Sequence, residues 1–131
     1  MLPLRLRRMW LGVGLFGVLL AFVLSLWPHG APGLERVPDK LQHFVGYASV
    51  SLWFLGMVGR RHYWAVFLGA VVLGGVLEIL QSFTETRQGD WADEGADALG
   101  ALLALALAYA GVGGWMAALE RRRFPSPGAG R

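Results

Sequence analysis

Cysteine is absent from the 131 residues, which removes thiol nucleophiles, disulfides and thiolate metal sites from consideration. The absence says little about compartment, because a compact helical membrane protein needs no disulfide even in an oxidising space. The chain also lacks a G-x-S-x-G elbow, an H-E-x-x-H pair and a phosphate-binding glycine loop, so three common enzyme chemistries have no sequence foothold. No internal repeat is visible. Charge is scarce: 16% of residues are charged against 55% hydrophobic, and the apolar residues come in long blocks rather than in the alternation of a soluble core.

Four blocks, at about 9–27, 41–59, 63–81 and 95–117, each approach the ~20 residues that cross a ~30 Å hydrocarbon core at ~1.5 Å per residue. The expected fold is an all-α membrane protein, four transmembrane helices in an antiparallel bundle. Residues 1–8 form a basic N-terminus, 9–123 the membrane domain and 124–131 a Pro- and Gly-rich tail expected to be disordered. The first block follows Arg5, Arg7 and Arg8, as a signal peptide would. It is longer than a secretory apolar core and leads into Trp27-Pro28-His29-Gly30 with no clean small-x-small site, so it reads as an uncleaved helix. The tight turn at 59–62 predicts that the second and third helices pack as a hairpin.

Nine of the twelve Lys and Arg lie at the N-terminus, in the Arg60-Arg61 turn or in the C-terminal segment; only Arg36, Lys40 and Arg87 lie on the other side. The positive-inside rule therefore predicts that both termini are cytoplasmic. The net charge of +3 and pI near 10 reflect this topology and are no nucleic-acid footprint, since the basic residues are split into membrane-flanking clusters. Of nine acidic residues only Glu120 falls on the cytoplasmic side; Glu35, Asp39, Glu85, Asp90, Asp93 and Glu94 lie near the outer loops, and Glu78 and Asp97 within helices close to that face. A charge in hydrocarbon costs roughly 2.5–3.5 kcal/mol on insertion scales, so this clustering needs a reason.

Three segments carry it. In the second block, Lys40, His43, Tyr47 and Ser51 repeat at three and four residues and form one polar line running into the membrane. Asp39 also reads as a helix cap, with Gln42 completing a capping box, and Lys40 as a snorkelling lysine. In the third block, Glu78 and Gln81 share a face, one turn beyond Gly74. Glu78 must face the bundle, either paired with His43, Lys40 or Arg87 or protonated, and reads as a register-fixing ion pair, a general acid or base, or a ligand carboxylate. In the fourth, Asp90, Asp93 and Asp97 align at i, i+3 and i+7; Asp90 and Asp93 suit capping, whereas Asp97 lies too deep to cap. Below Asp97, Gly100, Ala104, Ala108 and Gly111 form a ridge of small residues suited to close helix packing.

Asp39-Lys40-x-x-His43-Phe44-x-x-Tyr47, Glu78-x-x-Gln81-x-Phe83-x-x-x-Arg87 and Asp93-x-x-x-Asp97-x-x-Gly100 together resemble the three-block pattern of VanZ-like membrane proteins over about residues 37–108. That family more often carries Asn where this chain has Asp97. The resemblance implies a small helical bundle, multi-pass in the bacterial cytoplasmic membrane, and in the name-giving branch reduced sensitivity to teicoplanin-type glycopeptides. It supplies no established reaction.

Three readings stand beside one another. The first is an outward polar pocket that binds or shields a cell-envelope component, such as a lipid-linked or peptidoglycan precursor or a glycopeptide. The second is an intramembrane enzyme acting on a lipid or phospho-lipid headgroup, with His43 or Glu78 as general acid/base, Lys40 and Arg87 as anion clamps, and Asp93 with Asp97 orienting His43 or holding a divalent cation. The third is a structural or partner-docking bundle. The pocket is centred on His43, Glu78, Arg87, Asp93 and Asp97, with Asp39, Lys40, Tyr47, Gln81 and Asp90 around it. Membrane lipids are the expected surroundings, no nucleic acid is expected, and a protein partner is left open.

The missing cysteines make the topology directly testable. In intact cells a membrane-impermeant maleimide is expected to label Glu35→Cys and to leave Arg61→Cys unlabelled until the membrane is opened; the opposite pattern inverts the orientation.

Overall fold

The computed structural model describes residues 2–27, 32–84 and 90–124. All regular structure among them is helical: α1 (Arg7–Ser25), α2 (Asp39–Met57), α3 (Tyr63–Ser82), α4 (Trp91–Tyr109) and α5 (Trp115–Arg123), with one-turn 3-10 segments at Arg60–His62 and Val112–Gly114. Helix α1 and the stretch Arg60–Ser82 are long and apolar enough to cross a membrane. Helix α2 has the length but carries the line Lys40, His43, Tyr47, Ser51, and hides its lower part: His43, Tyr47 and Ser51 are all buried.

What buries that line is α4. The buried residues Gly100, Ala101, Ala104, Leu105 and Ala108 form its inner face, and α2 is its principal neighbour. A Cβ on Gly100 would fall on the carbonyl oxygen of Phe44 and 3.0 Å from the amide nitrogen of Ala48, so the two backbones touch. Without a hydrophobic driving force between helices in lipid, this close approach of small residues supplies the packing energy. The expected small-residue ridge thus holds through Ala108 and fails at Gly111, which is exposed.

Two expectations need correction. The second and third helices, expected to pack as a hairpin, touch but are not the main packed pair. Although the turn joining them is tight, α4 is the main neighbour of both, and a cavity of about 270 Å³ lined by Gly46, Val50, Phe54, Val66, Gly69, Ala70 and Leu73 separates much of α2 from α3. Nor is 95–117 one helix. Helix α4 begins at Trp91 and stops at Tyr109; Gly111 takes φ +113°, a left-handed turn that side chains rarely adopt, and the chain bends by 80° into the segment leading to α5. Gly113 then lies beneath Tyr63, whose hydroxyl occupies the place of a Cβ. These glycines terminate the helix where the run of apolar residues suggested continuation.

The end of the bundle away from the acidic residues is closed by aromatic rings and one carboxylate. Trp10, Trp53 and Trp115 meet edge to face, with centroids 5.5–5.7 Å apart. Trp53 donates its indole N–H to the Trp10 carbonyl at 2.9 Å. Helix α1 has no cap of its own, and Glu120 of α5 supplies one: its carboxylate accepts from the amides of Arg5 and Leu6 at 2.6 and 3.0 Å and from the Trp10 indole at 2.8 Å.

Gly100→Ala is expected to destabilise the bundle by about 1–3 kcal/mol because the methyl group meets backbone rather than a movable side chain. Gly75→Ala, where a Cβ meets nothing within 4 Å, is expected to be neutral or slightly stabilising. Denaturation of the two variants in the same detergent checks both, and equal effects would contradict the backbone contact.

Candidate functional site

The first turns of α2 and α4 meet the last turn of α3 and gather the polar residues of three segments at one end of the bundle. The outermost contact is Lys40, whose Nζ donates to Asp90 Oδ2 at 2.9 Å and to Asp93 Oδ1 at 3.2 Å, tying α2 to α4. Asp90 caps α4 as expected, Oδ1 accepting from the Ala92 amide at 2.8 Å. Its carboxyl is held below the ordinary aspartate value by the Lys40 ammonium and then by that amide.

One turn inward, His43 Nδ1 and Asp97 Oδ1 share a hydrogen bond of 3.0 Å, with both side chains buried. Glu78 reaches the same layer from α3 and is 3% exposed. Its Oε2 accepts the backbone N–H of Asp90 at 2.6 Å, so it braces the entry of α4 rather than pairing with Lys40. Tyr47 and Ser51 continue the polar line below His43, and both hydroxyls are buried without a hydrogen-bond partner among the described residues.

The remaining expected residues have other partners or lie elsewhere. Asp39 is the first residue of α2 rather than its cap, a place that Pro38 takes with no side-chain cap bond. Gln42 Nε2 donates to the carbonyls of Leu34 and Val37 at 3.2 and 2.9 Å and pins the preceding loop, so no capping box forms. Gln81 is buried but points to α1, donating to the Ser25 carbonyl at 2.8 Å. Arg87 lies outside the described residues.

Sequence reasoning missed Glu94. Spacing places it only near the outer loops and outside the pocket, whereas α4, starting at Trp91, sets it one turn before Asp97, half-buried and facing α3. Gly74 is the counterpart: a Cβ there would contact Glu94 Oε2 and lie 2.9 Å from Asp97 Oδ2. The glycine thus makes room for two carboxylates of α4. The i, i+3 relation of Glu94 to Asp97 was the available signal.

Beside this cluster runs a cavity of about 460 Å³ between α1 and α2, lined by Gly17, Leu20, Ala21, Leu24, Val45, Gly46 and Val50. Asp39, Gln42, His43 and Tyr47 stand at its polar end. It is an apolar slot leading to an acid–imidazole cluster. Comparisons with family models, with characterised proteins and with solved structures find no match for the chain.

Asp90 lowered by Lys40 has a definite pH consequence. A carboxyl with a depressed folded pKa stabilises the fold above its unfolded value, about 3.9, and that contribution is lost as pH falls through the lowered one. Carboxyl-carbon NMR is expected to show Asp90 titrating below the ordinary aspartate value, and returning towards it in Lys40→Met; an unmoved midpoint would show that the Lys40 contact is absent in solution.

Proposed function

We propose that the chain is a four-span protein of the bacterial cytoplasmic membrane, both termini inside, which holds an amphiphilic cell-envelope component with its chain in the slot between α1 and α2 and its headgroup at His43. The observation that carries this reading is the apolar cavity of about 460 Å³ ending at Asp39 and His43. A slot of this kind suits a molecule with one long apolar chain and a polar head, the form of a lipid or a lipid-linked precursor.

Three further features support it. Large apolar residues are exposed along the outer faces of the helices, among them Phe16 and Leu19 on α1, Leu68 and Val72 on α3 and Leu99 on α4, as lipid contact requires. Trp27, Trp64 and Trp91 are exposed near helix ends, where aromatic rings sit at membrane interfaces. Nine of the twelve basic residues belong to the segments at the end away from the cluster, so the positive-inside rule turns the cluster outward. The three-block resemblance to VanZ-like proteins agrees with an envelope role and with altered glycopeptide sensitivity.

A second reading, an intramembrane enzyme acting on the headgroup, is favoured by the His43–Asp97 pair: a carboxylate that orients an imidazole is the usual support of a general base. Lys40 is then committed to Asp90 and Asp93 and is a poor anion clamp.

Lipid-resolved mass spectrometry of protein gently extracted from its native membrane tests the binding reading. The wild type is expected to retain one amphiphile per chain. Gly46→Trp, placed where a Cβ meets nothing within 4 Å and on the wall of both cavities, is expected to lose it by tenfold or more without loss of fold. Equal retention by both, or only bulk lipid on the wild type, would reject the slot.

A further inference from the structure

We infer that His43, Glu78 and Asp97 form a site for one first-row divalent cation, with Glu94 beside it across Gly74. The inference rests on the reading of this end of the bundle as its ligand-binding end and names what the acidic layer holds.

One donor atom from each of the three residues lies within 4.8 Å of the others. Donors around an ion held at ~2.0–2.2 Å stand roughly 3–4 Å apart, so small side-chain rotations close the site. Two observations separate it from an ordinary cluster of acids. Glu78 is 3% exposed and Asp97 fully buried, yet among the described residues Glu78 Oε1 and Asp97 Oδ2 have no hydrogen-bond partner, whereas buried polar atoms of folded proteins nearly always have one. The free oxygens of Asp97 and Glu94 also converge on the space that the missing Gly74 side chain leaves.

Charge points the same way. Lys40 already compensates Asp90 and Asp93, which weakens the outer set Asp39, His43 and Asp93 as a metal site. Among the described residues no lysine or arginine forms an ion pair with Glu78, Glu94 or Asp97, and His43 is the one basic partner in that layer. A dication would neutralise what a single imidazole does not. The donor set, one imidazole nitrogen with carboxylate oxygens and no thiolate, fits Mn²⁺ or Zn²⁺ better than the all-oxygen preference of Ca²⁺ and Mg²⁺ or the sulfur preference of Cu⁺.

The test uses the full chain in detergent, stripped with chelator and titrated with Mn²⁺ alone, with Zn²⁺ as competitor. One ion per chain is expected, with a spin-echo modulation from a single imidazole nitrogen. Asp97→Asn and Glu78→Gln preserve size, and each is expected to weaken Mn²⁺ by more than the ~10–100-fold that outer-shell partners command; His43→Gln is expected to abolish the nitrogen signal. Circular dichroism identifies variants that remain folded, and any one of them suffices. A wild type that binds neither ion stoichiometrically, or folded variants with unchanged affinity, overturns the inference. Mass spectra of the same samples keep the two readings apart: amphiphile retained without metal rejects only the cation site, and metal bound without amphiphile rejects only the slot.

Discussion

The contact of α4 with α2 at Gly100 sets the polar groups of these two helices at matching depths. Because the two backbones touch there, Asp97 stands one turn above the contact and meets His43, and Asp93 stands one turn above that and meets Lys40. A larger residue at position 100 would move α4 outward and lengthen both pairs together. The polar layer is therefore a consequence of packing between small residues, which in lipid depends on close approach rather than on exclusion of water.

The layer is also unevenly satisfied. Its outer part is complete, with Lys40 bridging two carboxylates and Asp90 capping a helix. Among the described residues its inner part leaves oxygens of Glu78, Glu94 and Asp97 and the hydroxyls of Tyr47 and Ser51 without partners. A partly satisfied buried network is less stable than an apolar core, so the packing of α2 against α4 has to offset its cost. The division falls between the first and second turns of α2, where solvent screening gives way to burial.

Much of this was legible in the sequence wherever periodicity alone decides. The 40/43/47/51 line, the ridge from Gly100 to Ala108, the cap at Asp90 and the inward face of Glu78 all follow from helical spacing joined to the cost of charge in hydrocarbon. What was not legible depends on which partner wins. Gln42 had a capping role available but bonds loop carbonyls, Gln81 shares a face with Glu78 but bonds α1, and Glu94, on the helix that the Asp90 cap starts, meets Asp97 beside Gly74 of α3. The break at Gly111 was hidden because glycine serves both close packing and left-handed turns, and only the backbone tells which. The tryptophan triad and the Glu120 cap join residues more than forty positions apart, which no local pattern records.

That distant end bears on the site through α1. The helix is held at its start by Glu120 and the Trp10 contacts, and at its finish by the Gln81 bond to Ser25, while only Trp10 and Gly14 along it are buried. A helix pinned at both ends and loose between them leaves a gap against α2 that α1 side chains do not fill, and the slot is that gap. The 80° turn after α4 serves the same arrangement: a straight helix would carry Glu120 away from the start of α1, whereas the bend at Gly111 lays α5 across the bundle and brings its carboxylate to the unpaired amides. The glycines that interrupt the last apolar block thus help to hold open the slot near the opposite end.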